Sequence, residues 1–98
     1  MVTEVATLTA PPGGEDELGR AIASGVPYLR AHPDCLSATV SRCVEEPGRF
    51  TVAVDWTSVE AHERDFRASP LFPQRIGSVA GWFDPATLDT RHYETYPA

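Results

Sequence analysis

Hydrophobic and polar residues alternate along several stretches of the chain, and this alternation is typical of β-strands with one buried face. The predicted strands cover Val2–Thr9, Cys35–Val44, Arg49–Trp56 and Thr90–Tyr96. Pro47-Gly48 lies between the second and third strands, which predicts that they form a hairpin. In the first strand the apolar face consists of Val2, Ala6 and Leu8. In the second it consists of Leu36, Ala38, Val40 and Val44, interrupted by Arg42. In the third it consists of Phe50, Val52, Val54 and Trp56.

A stretch with helical spacing lies between the first two strands. Glu15, Asp16 and Glu17 would occupy its first turn, where acidic side chains suit the positive end of the helix dipole. An apolar stripe follows, formed by Leu18, Ile22, Val26 and Leu29. Because Pro27 lies within this pattern, we expect the helix to bend or to divide near Gly25.

A second helical stretch follows the third strand. Thr57 and Glu60 have the spacing of a capping box, with Ser58 as a competing N-cap. Val59, Ala61 and Phe66 would form its buried side. Ser69-Pro70 interrupts the helix, and a further apolar stripe of Leu71, Phe72, Ile76 and Val79 leads to Gly81. Residues 82–89 are predicted to form a loop.

The resulting order is β-α-β-β-α-β, which predicts a single α+β domain over residues 1–98 with a ferredoxin-like antiparallel sheet. Two helices can cover only one face of that sheet. The other face then requires a partner, and a chain of 98 residues has a modest core of its own. We therefore expect a homodimer.

Composition excludes several classes of function. The net charge is −6, and the eight arginines are scattered, which argues against a nucleic-acid partner. The absence of lysine excludes Schiff-base chemistry. No apolar run approaches the roughly 18 residues that span a bilayer, and the N-terminus has no signal-peptide pattern. No membrane association and a cytoplasmic location are expected.

The two cysteines are predicted to be reduced. Cys35 and Cys43 fall on one predicted strand, so a straight strand would separate them by about 26 Å. A disulfide requires Cα atoms within about 7 Å. Metal binding is also not expected. His62 has Glu63 and Asp65 as helical neighbours, but no second histidine stands on that face, and no known metal-binding spacing is present.

The most specific stretch of the chain is W-T-S-V-E-A-H at residues 56–62, followed by F-R-A-S-P-L-F at 66–72, with R-H-Y-E-T-Y at 91–96. With the element order, these motifs resemble the antibiotic biosynthesis monooxygenase family of dimeric α+β barrels. The resemblance covers nearly the whole chain. The resemblance implies a pocket between helices and sheet in each subunit. Members of the family include cofactor-free oxygenases of aromatic polyketides, and others oxidise quinols, degrade haem or process small signalling molecules.

The same resemblance suggests roles for individual residues. Trp56 corresponds to a tryptophan that lines the substrate pocket in the anthrone oxygenases. His62 stands where those enzymes have a tyrosine, and a histidine there is suited to act as a general base. Arg75 falls near an arginine that steadies an oxygen anion. Phe66, Phe72 and His92 are the further candidates for substrate binding.

Structural roles remain open for each of these side chains. Trp56 could be a core residue, His62 an ordinary helical histidine, Arg75 a surface ion-pairing group and His92 a dimer-interface residue. The chain also departs from the anthrone oxygenases, because Val52 replaces an asparagine. Residues 73–76 lack the histidine of the haem-degrading branch. We therefore expect a cofactor-free monooxygenase for a small aromatic or polyketide-type compound, with a cofactor-free cyclase or isomerase and a non-catalytic binding protein as alternatives.

Overall fold

A computed structural model describes residues 1–98 and has four antiparallel strands and two main helices. The strands are β1 (Val2–Thr9), β2 (Cys35–Arg42), β3 (Arg49–Trp56) and β4 (Asp89–Tyr93), and the helices are α1 (Glu15–Arg30) and α2 (Leu71–Val79). A π-helical turn, Ala61–Phe66, precedes α2, and a 3₁₀ turn, Pro85–Thr87, precedes β4. The strand order β2-β3-β1-β4 confirms the predicted ferredoxin-like fold.

The core lies between the sheet and the helices. The predicted inner face of β3 is buried throughout, and it meets the apolar stripe of α1, in which Leu18 and Ile22 are fully buried. Both predicted faces therefore pack as expected, and their burial is the main stabilising term of the fold. The core cluster is completed by residues of β1, β2 and the second helical stretch: Ala6, Leu8, Ala38, Ala61, Phe66 and Val79.

Of the two outcomes predicted near Gly25, a bend or a division of the helix, the division was wrong, because helix α1 runs without a break from Glu15 to Arg30. Pro27 lies in the last turn, where its missing N–H removes one hydrogen bond close to the helix end. Val26 and Leu29 on either side are buried and hold that turn against the core.

Strand β2 ends at Arg42, earlier than predicted. Arg42 pairs with Phe50, the second residue of β3, so the partner strand has almost ended there. Val44 is therefore outside the sheet and exposed. The pairing also shifts between Cys35 and Ser37, which leaves Leu36 as an extra residue in a β-bulge. Leu36 is 56% exposed, so its predicted place on the apolar face was wrong. Cys35 and Cys43 are both free, as expected.

The second helical stretch starts from Ser58, whose hydroxyl accepts a hydrogen bond from the Ala61 N–H at 3.1 Å. Thr57 instead donates to Asp34 Oδ1, so the predicted Thr57–Glu60 capping box was wrong and the competing cap is the observed one. Residues 61–66 form a π-helical turn rather than an α-helix, and Val59 is 37% exposed rather than buried. The predicted break at Ser69-Pro70 is confirmed.

Strand β4 starts at Asp89 and ends at Tyr93, earlier than predicted. Tyr93 pairs with Thr3, the second residue of β1, so β1 offers almost no further residue with which β4 could pair. The outer face of the sheet, which includes Val5, Thr51 and Ala53, is not covered by a helix, and the homodimer stays a prediction. None of the helices combines the length and the apolar character needed to cross a membrane.

Candidate active site

A buried carboxylate, Glu4, forms the centre of the candidate site. It lies on β1 on the same face as Ala6 and Leu8, and it pairs with Val54 on β3 and with His92 on β4. Only 8% of Glu4 is exposed. A buried carboxylate requires partners, and Glu4 Oε1 accepts a hydrogen bond from the Trp56 indole N–H at 2.9 Å. His62 Nε2 lies 3.4 Å from the same oxygen.

His62 is held between a tryptophan and a second histidine. The π-helical turn places its ring on the face of Trp56, with centroids 5.2 Å apart and planes 18° apart. Its Nδ1 atom lies 2.8 Å from Nε2 of His92. With the Glu4 carboxylate near Nε2, the proton is favoured on Nε2, and Nδ1 then accepts from His92. Burial lowers the pKa of His62, while the carboxylates of Glu4 and Glu63 act in the opposite direction.

Arg75 is the buried cation of the site. It lies on α2, and only 8% of it is exposed. Its Nη1 atom is buried and has no hydrogen-bond partner. The guanidinium packs against Gly25 of α1, where an added Cβ would lie 3.1 Å from Nη1. Burial lowers the pKa of Arg75, and the charge of Glu4 partly offsets that effect. An unpaired buried guanidinium is costly, which makes it a candidate binding group for an anion.

Glu4, His62 and Arg75 line one cavity of about 230 Å³ between the helices and the sheet. Most of its wall is apolar. The aromatic part comes from Phe66, Phe72 and Phe83, and Arg67 lies at the wall beside His62. The aliphatic part consists of Ala6, Leu8, Leu29, Val52, Val54, Ile76, Val79 and Leu88, with Thr90 as the other polar residue.

The structure brings the predicted site residues close together, but only some of them line the cavity. His62, Arg75, Phe66 and Phe72 line the cavity. Trp56 does not line the cavity, because it is completely buried. Its indole N–H donates to Glu4, and its ring stacks on the ring of His62. The expected direct contact of Trp56 with a substrate therefore has no support in its position.

His92 also lies outside the cavity wall, where it contacts His62. No second histidine was predicted on the helical face of His62, and none is there. His92 reaches His62 from β4, thirty residues later, which a prediction from helical neighbours could not include.

Glu4 was not among the predicted site residues, and Glu63 was considered only as a helical neighbour of His62. Glu4 gave a usable signal, because it falls in phase with Val2, Ala6 and Leu8 on the apolar face of a strand. A charged residue at such a position requires a buried partner. Glu63 gave no such signal. It is an exposed residue of the π-helical turn, and its contact with His92 depends on how that turn meets β4.

The arrangement supports proton transfer beside a cation in an apolar cavity. Glu4 and His62 form a proton-accepting pair that is shielded from bulk water. Arg75 can stabilise negative charge on a bound molecule. The indole of Trp56 donates to Glu4 Oε1 and the ring of His92 contacts His62 Nδ1, and these two contacts fix the orientation of the pair.

Comparison with known proteins agrees with this fold. Residues 1–74 match the family described as "Antibiotic biosynthesis monooxygenase". The chain belongs to the antibiotic biosynthesis monooxygenase family. The matched residues make up three quarters of the chain and include Glu4 and His62, while Arg75 lies directly beyond them.

Individual relatives extend the similarity beyond the matched region. The chain is 30% identical to the uncharacterized protein YczJ of Bacillus subtilis over 87% of this chain and 90% of that protein. A solved structure from Bordetella bronchiseptica, assigned to the same family, superposes with a TM-score of 0.87 at 28% identity, covering 98% and 97% of the two chains.

A further solved structure has a named activity. SnoaB of Streptomyces nogalater, a cofactor-independent oxygenase, superposes with a TM-score of 0.80 at 18% identity, covering 99% of this chain and 94% of SnoaB. At that identity the similarity demonstrates a shared fold.

Proposed function

We propose that this protein is a cofactor-independent monooxygenase that acts on a small phenolic aromatic compound. The single observation that supports this most strongly is that buried Arg75, whose Nη1 has no hydrogen-bond partner, lines the same apolar cavity as the Glu4–His62 pair. A substrate that is deprotonated by the pair becomes an anion, and its negative oxygen would bind to Arg75. The Glu4–His62 pair would therefore remove the proton, and Arg75 would bind the anion that this step produces.

The first step of the proposed reaction is proton removal. The Glu4–His62 pair takes a proton from a phenol or from an activated carbon of the substrate. Because Trp56 already donates to Glu4 Oε1, the carboxylate is fixed in place before the substrate binds. The developing charge lies beside Arg75, in surroundings where a cation stabilises it more strongly than water does.

The second step uses the electron-rich anion itself as the reductant of O2. In the proposed overall reaction, a CH2 group next to the aromatic ring becomes a C=O group. One oxygen atom of O2 enters the product, and the other leaves as water with the two hydrogens of the CH2 group. The apolar lining residues Phe66, Phe72 and Val52 support this step because they exclude competing water.

The size of the cavity narrows the substrate class. At about 230 Å³ it lies just below the usual range of roughly 300–1,000 Å³ for ligand pockets. We infer that a substrate of one or two rings fits better than an extended polycyclic polyketide. The aromatic side chains Phe66, Phe72 and Phe83 would contact its rings.

The protein is further proposed to act as a homodimer. The sheet face opposite the helices has no cover within one chain, and a second copy would bury it. Asp55 on this face is held by hydrogen bonds from Thr3 and from Ser37 at 2.7 Å, which lower its pKa. A dimer interface here would therefore include polar contacts that are already formed in each subunit.

One observation favours a second candidate, a cofactor-free isomerase or cyclase. Val52 is 1% exposed and lines the cavity, and it offers no hydrogen bond to orient a substrate oxygen or O2. Proton transfer alone requires only the Glu4–His62 pair and Arg75. The two candidates differ in a single readout, the consumption of oxygen.

Oxygen uptake tests the proposal directly. Chelator-treated, flavin-free protein would be given one- and two-ring phenols that carry a CH2 group next to the ring, with three-ring anthrone as an oversized comparison. The variants would be Glu4→Gln, His62→Gln and an exposed control, Glu60→Gln. We expect uptake that falls by about 10²- to 10⁴-fold in the two site variants and is unchanged in Glu60→Gln. Substrate conversion without oxygen uptake would favour the isomerase. Equal uptake in Glu4→Gln and wild type would contradict the proposed base.

A further inference from the structure

A second group of polar side chains lies on the side of His62 that faces away from Glu4. It consists of His62 Nδ1, His92 Nε2 and Glu63 Oε1. The two nitrogens are 2.8 Å apart, Glu63 Oε1 lies 3.6 Å from His62 Nδ1, and it lies 3.7 Å from His92 Nε2. His92 and Glu63 take no part in the cavity wall, so this triangle is distinct from the proposed substrate site.

The size of the triangle matches the spacing of ligands around a small cation. Zinc binds histidine nitrogen and carboxylate oxygen at about 2.0–2.2 Å in tetrahedral geometry, which separates neighbouring ligand atoms by roughly 3.3–3.5 Å. The three observed distances, from 2.8 to 3.7 Å, lie on both sides of that value. A shift of about 0.5 Å in one ring, well within ordinary side-chain motion, would produce the required arrangement.

The surroundings of the triangle hold two of its members in the orientation that a metal requires. Metal-binding histidines usually direct their other ring nitrogen to a carboxylate. His62 does this, with Nε2 3.4 Å from Glu4 Oε1, so that Nδ1 presents its lone pair to the triangle. Glu63 is held from its other oxygen, because Arg67 Nη1 lies 3.1 Å from Oε2. Oε1 is left to face the two histidines. Metal binding would displace the proton that His92 Nε2 donates to His62, either to the other ring nitrogen of His92 or to solvent.

We propose that His62, Glu63 and His92 form a binding site for one divalent first-row transition metal ion of the zinc type. Two imidazoles and one carboxylate are donors that suit such ions better than Mg²⁺ or Ca²⁺. The Glu63 side chain is 39% exposed, so the site is accessible from solvent, and water would complete the coordination of a bound ion. The site does not depend on the proposed oxidation.

The proposed site has a consequence for the base, because a metal ion and a proton would compete for the Nδ1 lone pair of His62. Bound metal would prevent this histidine from accepting a further proton. The metal site and the substrate cavity therefore share one residue while they use different atoms around it. Metal binding is expected to lower any activity that requires the Glu4–His62 pair.

The test is metal binding by calorimetry, with Zn²⁺ added to chelator-treated protein and Co²⁺ as a visible-absorption probe of coordination. We expect one Zn²⁺ per chain and a Co²⁺ spectrum with nitrogen and oxygen ligands. Glu63→Gln and His92→Gln should each weaken binding by more than the roughly 10- to 100-fold cost of losing an outer partner. Glu60→Gln, an exposed carboxylate directly before the π-helical turn, is the matched control and should bind like wild type.

Thermal unfolding of each variant without metal would establish that it folds. Absence of stoichiometric Zn²⁺ binding by folded wild-type protein would overturn the proposal. Binding of equal strength in wild type, Glu63→Gln and His92→Gln would also overturn it, since the ion would then be held elsewhere on the chain. A Co²⁺ spectrum with a thiolate charge-transfer band would point to Cys35 or Cys43 and would contradict the assigned ligands.

Discussion

The two helical segments that cover the sheet differ in what they bury. Helix α1 places only apolar side chains against the core, and its stripe residues Leu18 and Ile22 are fully buried. The segment from Ser58 to Val79 buries His62 and Arg75 as well as its apolar Ala61, Phe66 and Val79, while Ile76 remains 46% exposed. The first helix only stabilises the sheet, whereas the second segment also holds titratable groups where water is excluded.

The difference has an energetic reason. Apolar burial along α1 stabilises the fold by roughly 25 cal/mol for each Å² removed from water. A buried guanidinium with an unpartnered nitrogen acts in the opposite direction, because its lost hydration is not fully replaced. The segment from Ser58 to Val79 is also not a regular helix. It contains a π-helical turn and the break at Ser69-Pro70, whereas α1 has neither.

The largest effect on stability is expected from the stabilising segment. Ile22→Ala removes a fully buried side chain from α1, and the cavity left behind should lower the free energy of unfolding by about 2–5 kcal/mol. The activity of the protein that remains folded should be unchanged, since Ile22 does not line the site cavity. Urea unfolding and specific activity at low temperature would measure the two quantities. A loss of activity without a loss of stability would break the distinction between the segments.

A smaller effect is expected where the two segments touch. In Gly25→Ala the new Cβ would lie 3.1 Å from Arg75 Nη1 and from Ser78 Cβ, so the guanidinium must move by a few tenths of an ångström. The helical gain of about 0.5–1 kcal/mol for Ala over Gly should be mostly cancelled. Activity should fall by about tenfold, because small displacements of a charge-stabilising group are costly.

Gly77→Ala is the matched control for that experiment. Gly77 lies on α2 beside Ile76, and an added Cβ there would meet nothing within 4 Å. We expect a gain of about 0.5–1 kcal/mol in the free energy of unfolding, with unchanged activity. Equal activities of the two glycine variants would contradict the role given to the contact between Gly25 and Arg75.

The stabilising parts of the fold could be predicted from the sequence because their patterns are local. The inner faces of β1 and β3 and the stripe of α1 are each readable within one element, and all three are confirmed. The bulge at Leu36 could not be predicted in this way. It depends on how Cys35 and Ser37 pair with β3, which no periodicity within β2 records.

The site could be predicted only in part, because its residues come from distant elements. His62 and Arg75 were identified through the family resemblance, and both line the cavity. Glu4, His62 and His92 lie on three different elements, and their contacts form only when β1, β4 and the π-helical turn come together. The in-phase charge at Glu4 was the one local signal for this group.

The measurement that tests the central claim most directly is the stability and the oxygen uptake of Arg75→Met. Methionine is shorter than arginine but unbranched, uncharged and close to it in volume, so the variant removes the unpartnered guanidinium with little loss of buried volume. We predict that the variant is at least as stable as wild type in urea unfolding and that its uptake falls by about 10²- to 10³-fold. A variant that loses several kcal/mol of stability yet keeps its uptake would contradict the claim that this segment gives up stability to hold a charge for the substrate.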